Sequence, residues 1–218
     1  MSNAGDAPPP GPAIGAVEEL AERSSSFLEE AQRLGFLGPG PVAGHVRHAF
    51  PLVEALPPSG RVVDLGSGGG VPALILALAR PELTWILVES RVRRVQWLEE
   101  AVGLAGLADR VSIVGGRAEV AGRGEFRGSA VAVTARSFAP PAVTAECGSP
   151  FLALGGVLWV AEPPEPRPGR WPESGLALLG LRHSVGPSVQ SWQGFEQVQP
   201  CPEKYARREG LPAKRPLF

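Results

Sequence analysis

The stretch "VVDLGSGGG", Val62 to Gly70, carries an apolar run with one acid, Asp64, straight into a loop where four of five residues are glycine. A chain with no Cβ atoms there lets a ligand approach the backbone. Helical periodicity resumes at Val71–Ala79, so the order is strand, glycine loop, helix. That is the nucleotide-binding turn of a doubly wound sheet. Outward from it the pattern repeats. Strands are expected at Arg61–Leu65, Thr84–Glu89, Val111–Val114, Ser129–Ala135 and Gly156–Val160, with helices at Val71–Ala79, Val92–Leu104 and Pro141–Leu154. Arg117–Gly122 is ambiguous. Apolar strands alternating with amphipathic helices predict an α/β fold, a parallel sheet with helices on both faces.

The acid narrows the ligand. Against G-x-G-x-x-G, Gly66 and Gly68 match, but Val71 holds the third position. A carboxylate beside a pyrophosphate is repelled, whereas a ligand with a cationic amine welcomes it. Asp64 therefore argues for S-adenosylmethionine over a dinucleotide, with Gly66, Ser67, Gly68 and Gly70 serving close backbone approach. Glu89, 19 residues past Gly70, ends the second strand, where an acid accepts two hydrogen bonds from a ribose diol. In "GGRAE" (115–119), Ala118 and Glu119 stand where such folds contact the adenine.

Composition sets the bounds. With 44% hydrophobic residues, 21 basic and 22 acidic side chains, the chain can bury a core and has almost no net charge. The longest apolar run falls well short of the roughly 20 residues of a membrane helix. No basic stretch followed by an apolar one opens the chain. Two cysteines, Cys147 and Cys201, suit a reducing compartment. The expectation is a cytoplasmic protein, without membrane or metal and monomeric. His45, His48 and His183 show no metal-ligand spacing.

The acceptor is less constrained. After the fourth strand "TARSFAPP" (134–141) is not the N/D-P-P-Y/F loop of exocyclic-amine methylation. Both cysteines are read as structural rather than as the nucleophile for a pyrimidine C5. A guanine N7, with an in-plane lone pair and no proton, needs neither base nor nucleophile, so positioning and electrostatics suffice. Arg136 is the candidate to orient the acceptor; a solvated loop arginine or a helix-end partner is the alternative. The last residues, Glu203 to Phe218, hold Lys204, Arg207, Arg208, Lys214 and Arg215 against Glu203 and Glu209. Phosphate contacts with stacking by Tyr205 and Phe218 and a plain solvated tail are both open. The expected organisation is a tag and linker at 1–14, helices at 15–58 (Val17–Leu34 and Val42–Leu56), a sheet domain at 59–200 and a basic tail at 201–218. The proline-rich segment 163–175 is expected to exclude a helix. Strand-like stretches follow at Leu176–Val185 and Phe195–Gln199.

Five segments together resemble the bacterial small-subunit ribosomal RNA guanine-N7 methyltransferases, the glucose-inhibited division protein B family. They are "VVDLGSGGGVPALILALARPEL", "LVESRVRRVQWLEE", "GRAE", "TARSFAPP" and the terminal "KYARREGLPAKRPL". The resemblance implies a class I methyltransferase with a Rossmann-like doubly wound sheet and an N-terminal helical extension. It implies S-adenosylmethionine as donor, and N7 of one guanine in 16S ribosomal RNA, free or in the small ribosomal subunit, as acceptor. Two places depart from the family pattern: Pro51-Leu52 replace a polar pair after Arg47-His48, and at the end of the fifth strand Val160 stands where a lysine is expected and prolines replace the helix that follows. They keep two alternatives in view, a methyltransferase for a small molecule or protein, and a non-catalytic RNA-binding module.

Overall fold

The computed structural model describes residues 14–165, 168–184 and 191–218. Five parallel strands, β1 (Gly60–Leu65), β2 (Leu83–Glu89), β3 (Val111–Gly115), β4 (Ala130–Ala135) and β5 (Leu152–Ala161), join β6 (Leu181–His183) and β7 (Trp192–Gln197) in one sheet. Its order is β3-β2-β1-β4-β5-β7-β6, with β7 antiparallel to both neighbours. The order reverses direction beside β1, which places a crevice at the carboxyl ends of β1 and β4.

Successive side chains of a strand face opposite sides, and the sheet divides two cores that way. Val62, Trp85 and Leu87 belong to one; Val63, Leu65, Ile86 and Val88 belong to the other. The first core is covered by α1 (Ile14–Arg33), α2 (Val42–Ala49), α3 (Pro51–Ala55), α4 (Ala73–Ala79) and α5 (Val92–Leu104). The second is covered by α6 (Ala118–Ala121), α7 (Pro141–Gly148), α8 (Glu173–Leu178) and residues of the C-terminal segment. The N-terminal helices are integral to the fold, since Phe27, Leu28 and Ala31 are fully buried. Each large side chain of this kind contributes about 1.5–3 kcal/mol by burial.

Several expectations are corrected. The helix expected over Val42–Leu56 is two helices, because Pro51 brings no N–H and starts the second one. The helix from Pro141 stops at Gly148; Pro150 lies in a 3-10 turn over Ser149–Phe151, and β5 begins at Leu152. Between Ala130 and Ala132 of β4 the register to β5 jumps from Leu152 to Val157, and this irregularity absorbs the extra strand residues. A helix does start inside 163–175, at Glu173 directly after Pro172, because a proline is harmless ahead of the first turn. The strand expected from Leu176 is confined to Leu181–His183, since Leu176 and Leu179 are spaced for a helix face and both are buried. Val185 and residues 1–13, with the expected tag and linker, lie outside the described residues. Among the described residues no helix is long and apolar enough to cross a membrane.

The C-terminal segment is packed rather than loose. It holds a 3-10 turn at Glu203–Tyr205 and the short helix α9 (Leu211–Lys214). Phe218 lies against Gly175, and Leu217 and Phe218 pack on the second core, so Phe218 is not free to stack on a base.

Candidate active site

β1 delivers Asp64 to the crevice at 1% exposure. The loop after it turns through left-handed backbone at Gly66 (φ 65°), Gly68 (φ 54°) and Gly70 (φ 90°), which other residues enter at a cost. A Cβ on Gly66 would also lie 2.8 Å from the Phe138 ring, and one on Gly70 2.5 Å from Leu74. The Gly66 N–H donates to the Val88 carbonyl at 2.8 Å, and the Gly68 N–H donates to Glu89 Oε2 at 3.0 Å. The loop is thereby tied to the end of β2.

Glu89 is 4% exposed. Its second oxygen accepts the Arg91 N–H at 2.9 Å, and the Arg94 guanidinium stands 3.8 Å from the first. A carboxylate offers about four acceptor positions, so two remain for a diol. Asp64 is tied on one side only: Oδ1 accepts the Thr134 hydroxyl at 2.6 Å, while Oδ2 is buried with no partner. Burial pushes its carboxyl up to about 6 against the opposing pull of the Thr134 hydrogen bond. An orphaned acceptor beside a glycine loop fits a ligand ammonium, as the methionine end of S-adenosylmethionine provides. Next to it Gly66, Val88, Glu89, Ser90, Gly116, Arg117, Ala118, Glu119 and Phe138 line a cavity of about 40 Å³. Ala118 is buried there, and Glu119 Oε1 also accepts the Gly210 N–H from the C-terminal segment at 3.1 Å.

The surroundings of Arg136, the candidate to orient the acceptor, were only partly visible in the sequence. Arg136, at the end of β4, is half-buried rather than a solvated loop arginine, and its Nη2 stands 3.2 Å from His45 Nδ1. His45 Nε2 faces the Gly38 carbonyl at 3.2 Å. A carbonyl only accepts, so Nε2 carries the proton and Nδ1 accepts from the guanidinium. Burial, then the Arg136 charge, lowers the His45 pKa. The same causes lower His48 to about 4. Burial also lowers Arg136, against the favourable charge of Asp64. Arg136 Nη1 and His48 Nδ1 are buried without a partner. The i, i+3 spacing of His45 and His48, one face of one helix, was the signal available for this cluster. The spacing has no metal-ligand pattern, and only the tertiary packing of α2 brings His45 to Arg136. Among the described residues no three His, Cys, Asp or Glu side chains converge as for a metal ion.

The structure separates the basic residues of the C-terminal segment. Lys204, Arg208, Lys214 and Arg215 are exposed. Arg207 instead forms a two-point ion pair with Glu146, which is 2% exposed, and donates to the Arg215 carbonyl at 2.8 Å. The Glu146 contact raises the Arg207 pKa. A buried carboxylate needs that partner, so Arg207 is committed to the fold and the expectation of a phosphate contact is corrected for it. Cys147 and Cys201 are buried and their thiols are pushed up by desolvation, which keeps them protonated and unreactive.

Residues 42–162 match the family model for rRNA small subunit methyltransferase G. The ribosomal RNA small subunit methyltransferase G of Moorella thermoacetica is 34% identical over 189 residues, covering 79% of this chain and 77% of the relative. That of Syntrophomonas wolfei is 32% identical over 183 residues, 79% of this chain and 85% of the relative. Among solved structures, TYW2 of P. horikoshii in complex with MeSAdo superposes with a TM-score of 0.51 at 15% identity, covering 69% of this chain and 60% of that one, a likeness of fold. With matches of this extent, the chain belongs to the rRNA small subunit methyltransferase G family of S-adenosylmethionine-dependent methyltransferases.

Proposed function

We propose that this chain methylates N7 of a guanine in 16S ribosomal RNA, as free RNA or within the small ribosomal subunit, and acts as a cytoplasmic monomer. The observation that carries the reading is the acceptor side: a half-buried arginine aimed by a neutral histidine, with both of the chain's thiols buried and protonated elsewhere in the fold. S-adenosylmethionine supplies the methyl group on a sulfonium. Asp64 receives the donor's ammonium on its unpartnered Oδ2, Glu89 its ribose diol, and the Ala118–Glu119 turn its adenine edge. Gly66, Ser67, Gly68 and Gly70 let the donor lie against main chain.

Arg136 Nη1, the guanidinium nitrogen without a partner, is the donor available to the acceptor base. A guanine N7 loses no proton when it is alkylated, so no residue has to act as base. A positive group at its edge fixes the ring in line, and the protein's contribution is orientation in a desolvated site. The exposed Lys204, Arg208, Lys214 and Arg215 hold the RNA near the donor.

The test is methyl transfer from labelled S-adenosylmethionine to two 16S transcripts, one with ordinary guanine and one with 7-deazaguanine, each free and assembled into small subunits. Label in the ordinary transcript and none in the 7-deaza transcript is expected. Equal labelling of both would move the acceptor off N7.

A further inference from the structure

A second basic surface lies on the other face of the sheet from the C-terminal segment. Gly35 and Phe36, just past α1, and Arg91, Val92, Arg93 and Arg94, at the start of α5, line a cleft of about 340 Å³. Three of these six lining residues are arginines and none is acidic, in a chain of net charge −1. Arg91 and Arg93 are exposed, and among the described residues neither side chain makes an ion pair or hydrogen bond. Arg93 and Arg94 lie over the Phe36 ring at 6.0 and 5.8 Å, which holds both guanidiniums toward the cleft. Val92 beside them is 71% exposed.

A solvated face is the ordinary fate of such charges, and two features argue against it. On a helix an acid three or four residues from an arginine stabilises it. Here those positions are Arg94 and Val95 after Arg91, Gln96 and Trp97 after Arg93, and Trp97 and Leu98 after Arg94. The arginines also crowd the N-terminus of a 13-residue helix that has no acid in its first turn. That is the positive end of the helix dipole, where cations are disfavoured and anions are bound. Local rules of this kind are broken characteristically at functional or strained sites. An anion in the cleft would relieve the mutual repulsion and the dipole together.

We infer that this cleft docks the phosphodiester backbone of the substrate RNA, with Arg91 and Arg93 on phosphates and Val92 against a base. The inference rests on the reading of the acceptor as RNA. Arg94 bridges to Glu89 at 3.8 Å, so the docked strand passes beside the donor's ribose. The cleft and the exposed lysines and arginines of the C-terminal segment then flank the donor pocket from the two faces of the sheet, and the RNA spans it.

The experiment compares wild type, R91A/R93A and R91K/R93K in binding to a protein-free 16S ribosomal RNA transcript across a salt series. S-adenosylmethionine titrations, thermal unfolding and methyl-transfer assays run in parallel. Each phosphate contact to single-stranded RNA contributes about −0.7 to the log–log salt slope. The alanine pair is expected to flatten the slope by about 1.4 and raise the RNA KM, and the lysine pair to restore the slope. S-adenosylmethionine affinity should stay at the wild-type value, and the alanine pair should melt no lower than wild type. An unchanged slope and KM in an alanine pair whose wild type methylates the transcript would overturn the cleft and leave the proposed function standing. A lower melting temperature with lost S-adenosylmethionine binding would overturn it too, making the arginines structural. A wild type that neither binds nor methylates the transcript or small subunits would overturn both readings.

Discussion

Asp64 is the residue where the fold gives up stability for the site. Its carboxylate is fully desolvated, has one hydrogen bond to Thr134 and leaves Oδ2 unpaired. With its folded value raised to about 6 from the ordinary 3.8, Asp64 holds its proton more tightly folded than unfolded. Its contribution to stability therefore falls as pH climbs between those values and stays lost above them. At 1.36 kcal/mol per unit this is at most about 3 kcal/mol at neutral pH. Asp64→Asn keeps the acceptor for Thr134 and removes the charge. Calorimetry should show a higher Tm at pH 7.5 together with weaker S-adenosylmethionine binding; a lower Tm would mean that the carboxylate is solvated in the free protein. Glu89 is the second such residue. Glu89→Ala should weaken S-adenosylmethionine by about 1.5–3 kcal/mol, the range for hydrogen bonds to a charged group, and an unchanged titration would remove it from the ribose.

Among the elements, α2 and β4 bring together His45 and Arg136, the proposed acceptor side. His45 is neutral by burial, and its Nδ1 takes the guanidinium of Arg136. Protonation would turn that acceptor into a donor and push Arg136 away. The lowered histidines and the value of about 6 at Asp64 place these titrations on the acid side. Methyl transfer at saturating substrates should then be nearly flat from about pH 6.5 to 9, because the histidines are already neutral and no base has to be ionised. A bell-shaped profile in that range would reveal an acid–base pair. The C-terminal segment divides into two roles. Arg207→Ala strands Glu146 at 1% side-chain exposure and should destabilise by about 3–5 kcal/mol, the cost of breaking a buried pair. Arg208→Ala with Lys214→Ala should leave Tm nearly unchanged and flatten the RNA salt slope by about 1.4.

How much of this was legible follows from how local each signal is. Asp64, the glycines and Glu89 were readable because strand ends and turn chemistry are written in adjacent residues, and the structure puts them on one edge of the sheet. The His45–Arg136 contact spans 91 residues, and the Arg207–Glu146 pair spans 61. No periodicity announces a contact of that range. The helix at Glu173–Leu178 was lost for another reason: prolines mark where a helix cannot continue, and also where one begins.

The whole molecule is a sheet whose two faces bury separate cores while its carboxyl edge stays polar. The N-terminal helices close one face, so Phe27→Ala should cost about 3–5 kcal/mol, although Phe27 lies in α1, well outside the sheet. The departures from the family pattern also belong to this scale. Leu52 is fully buried and Val160 is 5% exposed, so both serve packing and leave the charges of the donor pocket in place. The proposed substrate of this pocket is one ring nitrogen of 16S ribosomal RNA. Mass mapping of methyl groups along 16S RNA from cells with the gene, without it, and with the Glu89→Ala version decides this. One N7-methylguanosine should be present with the intact gene, absent without it, and depleted with Glu89→Ala. Identical methylation maps in all three would rule 16S ribosomal RNA out as the substrate.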